Sequence, residues 1–158
     1  MSRPSRLEGF DYVGRYRYFL TICCRERLPV FRGPPIAEQT LTQFRRTTML
    51  DRFAILAYSL MRDHVHLLLE GLAQDSDFTR FARMSKQRSG SAYARTHHQR
   101  LWQEGYYERV LREEDDARAL ARYVVNNPLR AGLVTTPADY PFVGSDVWSL
   151  SELLESVV

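Results

Sequence analysis

The stretch Phe53-Ala-Ile-Leu-Ala-Tyr-Ser-Leu-Met61, Arg62-Asp63, His64-Val-His-Leu-Leu-Leu-Glu70 decides how the rest of the chain folds. Two apolar runs of strand length separated by only two residues leave no room for a crossover, so they form an antiparallel hairpin. Residues two apart on a strand project to the same side. His64 and His66 therefore stand side by side on one face of the sheet that this hairpin begins.

Reading outward, Arg15 to Cys24 is rich in Tyr, Phe, Thr and Ile and predicts a first strand. Gly33-Pro34-Pro35 breaks the chain, and Ile36 to Leu50 reads as a helix with Ile36, Leu41, Phe44 and Leu50 turned inward. After the hairpin, Phe78 to about Thr96 is a second helix, and Tyr106 to Arg112 a short fourth strand near an edge. A third helix starts at about Asp116, where the acidic run Glu113-Glu-Asp-Asp116 favours its positive end. Ala117, Leu120, Ala121 and Val124 form its apolar stripe, and Pro128 marks its end. The order β-α-β-β-α-β-α predicts an α+β fold, a ferredoxin-like antiparallel sheet with helices packed on one face. A short helix or tail over 147–158 closes the chain, and residues 1–14 form an N-terminal arm. At 158 residues the expectation is one domain.

Composition narrows the class. With 44% hydrophobic and 26% charged residues the chain is ordinary globular material. It has no run near the roughly 20 apolar residues that a bilayer span needs, and Met1-Ser-Arg-Pro-Ser-Arg6 lacks a signal-peptide core. The expectation is a soluble, cytoplasmic protein with no membrane partner. Cys23 and Cys24 are adjacent in an apolar run, which suits buried thiols better than a disulfide framework. The net charge of +3 is unevenly spread: residues 78–112 carry eight basic side chains against two acidic ones, with Tyr93, Trp102, Tyr106 and Tyr107 among them. Such a patch suits a nucleic acid, and a solvated helix face is the alternative.

Chemistry concentrates in four residues. Two imidazoles provide nitrogen ligands for a metal and the amide oxygen of Asn127 a harder one, with positions left open for phosphate. Tyr123 and Asn127 are four apart, on the flank of the third helix rather than on its apolar stripe. A phenol is a weak nucleophile until its proton is lost, and a nearby cation assists that loss. Together the four suggest metal-assisted attack by tyrosine on a phosphate. Taken singly, each has a plainer reading: a hydrogen-bonded histidine, a packed tyrosine, an Asn-Pro turn. Tyr106 and Tyr107 are rival nucleophiles on opposite faces of the fourth strand. His97 and His98 lack ligand spacing and read as solvated.

Three blocks carry a family resemblance: Leu60-Met-Arg-Asp-His-Val-His-Leu-Leu-Leu69, Trp102-Gln-Glu-Gly-Tyr-Tyr-Glu-Arg-Val-Leu-Arg112 and Tyr123-Val-Val-Asn-Asn-Pro-Leu-Arg-Ala-Gly-Leu-Val134. With Tyr18 to Phe31 and Tyr140 to Ser145, they resemble the single-tyrosine transposases of the HUH endonuclease superfamily, specifically the REP-associated tyrosine transposases of bacteria. The resemblance implies cleavage of hairpin-forming single-stranded DNA through a 5′-phosphotyrosine link that releases a 3′-hydroxyl. It implies His64 and His66 as ligands of Mg²⁺ or Mn²⁺ rather than zinc, Asn127 as the candidate third ligand, and Tyr123 as nucleophile on a C-terminal helix. It further implies action in the cytoplasm at the bacterial nucleoid, as a monomer or a homodimer. Where the family often has Pro-Asn before the first histidine, this chain has Arg62-Asp63, which changes the turn and makes Arg62 a candidate DNA contact. Arg83, Lys86, Trp102 and Arg112 are further candidates, as are Arg3 and Arg6 on an arm of the kind that reads a guide sequence in this family. Two other functions compete. One is a non-cleaving hairpin-binding regulator; the other is a small zinc metallohydrolase in which Tyr123 is idle.

Overall fold

The computed structural model describes residues 7–155. Five strands form one antiparallel sheet: β1 (Arg17–Cys23), β2 (Phe53–Leu60), β3 (His64–Gly71), β4 (Tyr107–Val110) and β5 (Val143–Gly144). Their spatial order is β4-β1-β3-β2-β5, so the expected hairpin lies at the centre with β1 beside it. The helices are α1 (Pro34–Asp51), α2 (Phe78–His97), α3 (Ala117–Val125), α4 (Asn127–Arg130) and α5 (Leu150–Leu154). Pro34 and Pro35 form the first turn of α1 rather than a break before it, because an amide hydrogen is not needed there. Asp77 caps α2 by accepting from the Arg80 amide, and Asp116 caps α3 by accepting from Arg118 and Ala119.

The α+β antiparallel architecture is as the sequence predicts, with one correction. Only α1 and α2 share a face. There Tyr18, Leu20, Ile22, Val65, Leu67 and Leu69 meet Phe44, Phe78 and Phe81, and the Tyr18 and Phe78 rings stack with centroids 4.1 Å apart. On the opposite face Leu56, Ala57 and Leu68 meet Ala121, Val124 and Val125 of α3 and Leu153 of α5. β2 carries a bulge between Ile55 and Ala57, which turns both Leu56 and Ala57 toward α3. Counted from Ile55 in the larger core, strict alternation would turn Ala57 back toward α1 and α2 instead. Both cysteines are free and buried. Among the described residues no helix is long and apolar enough to cross a membrane.

Candidate active site

Val65, Leu67 and Leu69 fill the core beneath α1 and α2, so the alternate positions His64 and His66 face the α3 side. Their rings are nearly perpendicular, with centroids 4.7 Å apart, and the two Nε2 atoms are 3.1 Å from one another. That separation fits two nitrogen ligands at about 2.1 Å from a shared ion. The outer nitrogen of each ring is held from behind. Nδ1 of His64 donates to Oδ1 of Asp63 at 2.7 Å, and the other carboxylate oxygen of Asp63 accepts from Nε of Arg27 at 2.9 Å. Nδ1 of His66 lies 2.9 Å from Oγ1 of Thr21, which β1 places directly across the ladder. Partners of this kind fix ring orientation and leave Nε2 as the ligating atom.

The electrostatics favour neutral imidazole at His66. Burial, then the charge His64 carries when protonated and the guanidiniums of Arg130 and Arg27, push its pKa down to about 4. Burial acts in the opposite direction on Asp63, but hydrogen bonds from His64 and Arg27 hold its carboxyl below the ordinary value. The pair thus combines open lone pairs with a nearby anion, a donor set suited to a divalent cation. Among the described residues no three His, Cys, Asp or Glu side chains cluster as a metal site.

Tyr123 is 59% exposed on the outer flank of α3, which packs across β2 and β3. Asn127 is not on α3, as its spacing from Tyr123 suggests. The helix stops at Val125, Asn126 leaves helical geometry with ψ at 0°, and Asn127 opens the separate turn α4 with Pro128 behind it. One side chain joins the pieces. Arg130 places its guanidinium carbon 3.6 Å from the Tyr123 ring centroid and donates through Nη2 to Oδ1 of Asn127 at 2.7 Å. Phenol and amide are therefore joined through one guanidinium at the end of α3, the helix that packs on the sheet face where the histidines stand. The sequence reading passes over Arg130, Thr21 and Arg27; the acidic residue directly before His64 is the signal that points to Asp63.

The remaining candidates divide. Arg62 is exposed at the β2–β3 turn and borders a groove of about 720 Å³ with Arg32, Tyr140, Phe142 and flanking prolines. Neither guanidinium forms an ion pair among the described residues. Arg112 is exposed just beyond β4, and Arg83 is exposed on α2, across the sheet from the histidines. Two readings need correction. Trp102 is 5% exposed, packs between Phe31 and Phe44 and donates its indole N–H to Ser89, so it is core rather than a stacking platform. Lys86 donates to the carbonyls of Gln103 and Gly105 and ties α2 to the loop before β4. Arg3 and Arg6 lie outside the described residues. Tyr106 packs edge-on against Phe78 in the larger core. Tyr107 pairs with Thr21, in the cross-sheet row that continues through His66 to Ser59.

Comparison with known proteins decides the family. Residues 12–127 match the family model described as "Transposase IS200 like". This chain belongs to the IS200-like transposase family. A Haemophilus influenzae protein provisionally named REP-associated tyrosine transposase is 24% identical over 143 residues, covering 84% of this chain and 81% of its own length. The structure of a REP-associated tyrosine transposase bound to a REP hairpin has a similar fold, with a TM-score of 0.73 and 23% identity. It covers 90% of this transposase and 82% of that chain. A crystal structure from Deinococcus radiodurans, provisionally described as a transposase, has a TM-score of 0.54 at 22% identity. It spans 77% of this chain and 97% of its own.

Proposed function

We propose that this transposase is a single-strand DNA endonuclease and strand-transferase acting on hairpin-forming repeats, with Tyr123 as nucleophile and a divalent metal, Mg²⁺ or Mn²⁺, held by His64, His66 and Asn127. The observation that carries the reading is the convergence of two braced Nε2 atoms 3.1 Å apart on the sheet face that α3 crosses. His64, His66 and Asn127 would hold the divalent cation, which when bound would supply charge neutralisation at the scissile phosphate. Asp63 and Thr21 keep the imidazoles aimed, and Asp63 adds negative charge behind them. Tyr123, exposed and free of the core, gives up its phenolic proton to solvent water and attacks phosphorus. The bond from phosphorus to the 3′ oxygen breaks, the departing oxygen takes a proton, and the 5′ phosphate stays on the tyrosine. Attack by another 3′-hydroxyl reverses the step and joins strands. The solved relative bound to a REP hairpin and the similarity to the Haemophilus protein support hairpin DNA as substrate.

The test uses a hairpin oligonucleotide with single-stranded flanks, labelled on its 5′-phosphate side, incubated with Mn²⁺. Wild type forms a covalent protein–DNA band that survives denaturation. Tyr123→Phe loses it by at least about a thousandfold, the scale expected on removing a nucleophile, while Tyr107→Phe keeps it. Equal adduct from Tyr123→Phe, or loss confined to Tyr107→Phe, would transfer the role to the row beside Thr21.

A further inference from the structure

Arg130 stacks on the ring of Tyr123 and donates to the amide oxygen of Asn127, both candidate site residues. The guanidinium is exposed and has no carboxylate partner among the described residues. An amide oxygen accepting a charge-assisted hydrogen bond is a poorer metal ligand, because that bond draws on the lone pairs a cation would use. A phosphate diester offers the guanidinium two oxygens in the planar fork it prefers, a better partner than one amide oxygen and a ring face. DNA entering the site thus draws Arg130 toward phosphate and off Asn127.

We infer that Arg130 is a positioning residue that couples DNA binding to metal binding: without DNA it caps the Asn127 oxygen and holds the Tyr123 ring, and a substrate phosphate releases both. This rests on the proposed metal role of the histidine pair and Asn127. The coupling is reciprocal, so metal tightens DNA binding by the factor by which DNA tightens metal binding.

The experiment measures Mn²⁺ affinity by electron paramagnetic resonance of the free ion, on the full chain in a Tyr123→Phe background that cannot cut. Parent, Arg130→Ala, Asn127→Ala and the double variant are titrated with and without the hairpin oligonucleotide. A His64→Ala, His66→Ala protein sets the Mn²⁺ bound by DNA alone. Without DNA, Arg130→Ala binds Mn²⁺ about threefold to tenfold more tightly than the parent. The hairpin raises the parent's affinity by about fivefold or more, and that of Arg130→Ala by less than about twofold, within the usual range of coupling factors. In the Asn127→Ala background, removing Arg130 has a much smaller effect. Equal DNA-free affinities, equal enhancement by DNA, or an undiminished Arg130 effect without Asn127 would each overturn the coupling while leaving the metal site standing. Mn²⁺ binding indifferent to loss of both histidines would overturn the metal site itself and the coupling with it.

Discussion

The two faces of the sheet are built for different purposes. Beneath α1 and α2 the packing is aromatic and closed: Tyr18, Phe78 and Tyr12 stack, Phe53 meets Phe81, and Phe44 meets Trp102. Beneath α3 the apolar core is smaller, and toward the end of the hairpin it gives way to a polar row through Thr21, His66 and Ser59, with His64 one step further. Polar side chains survive there because each finds a partner: Asp63 for His64, Thr21 for His66, and Met61 sulfur for the Ser59 hydroxyl. One face holds the molecule together, and the other, relieved of much of that duty, can carry chemistry. Even the basic residues obey the division. Arg88 donates to Thr47 and Arg80 pairs with Asp51, both binding α2 to α1, so the positive stretch is partly scaffold.

The largest expected effect comes from striking the closed face. Phe78 is fully buried and touches Tyr18, Tyr12 and Tyr106, so Phe78→Ala is expected to cost about 3–5 kcal/mol, the range for a core phenylalanine. Denaturant or thermal unfolding checks this. If the faces are distinct, the protein that remains folded still makes the covalent adduct at the wild-type rate. A fall in adduct larger than the fall in folded fraction would mean that the aromatic face also shapes the site.

A tenfold to hundredfold effect is expected from the reverse experiment. Asp63→Asn keeps the side chain's size but removes the anion behind His64, and loss of such a supporting partner usually lowers metal affinity by about 10–100-fold. The Arg27–Asp63 pair is substantially exposed, so stability should change by under about 1 kcal/mol. Mn²⁺ titration and a melting curve on the same sample separate the two. Weaker metal binding with an unchanged melt supports the division; a large loss of stability with unchanged metal binding would make Asp63 a turn-holding residue.

This division also explains what the chain disclosed in its sequence. The hairpin, the cap at Asp116 and the alternation that aligns His64 with His66 are local, and local patterns are written in neighbouring residues. The facing of Ala57 toward α3 is not, because it depends on a bulge between Ile55 and Ala57 that an unbroken apolar run conceals. Thr21 could not be matched to His66 from spacing, since their pairing is a register between strands 45 residues apart. Trp102 looked like a base-stacking ring because it sits in a basic segment, yet its partner is Ser89 in the core. The Tyr123-to-Asn127 interval suggested one continuous helix, whereas Pro128 restarts the chain in a new turn. That restart puts Arg130 three residues after Asn127 and within hydrogen-bond reach of it.

The smallest effect expected discriminates the faces most finely. Arg62 stands at the groove beside the histidine turn, and Arg83 on α2 across the sheet, so the two ask which side of the molecule the DNA touches. Arg62→Ala is expected to weaken hairpin binding several-fold and to reduce the slope of log K against log salt by about one, as for one lost phosphate contact. Arg83→Ala should alter the slope less, since a strand lying near the histidine pair meets the groove before it meets α2. The turn backbone at Arg62 and Asp63 is anchored by amides of Phe31 and Cys24, so removing the Arg62 side chain leaves its geometry in place. Affinity measured across salt concentrations with the same hairpin decides it. Were Arg83 to carry the larger slope, the DNA path would run over the scaffold face, and the substrate would have to wrap round an edge of the sheet to reach Tyr123.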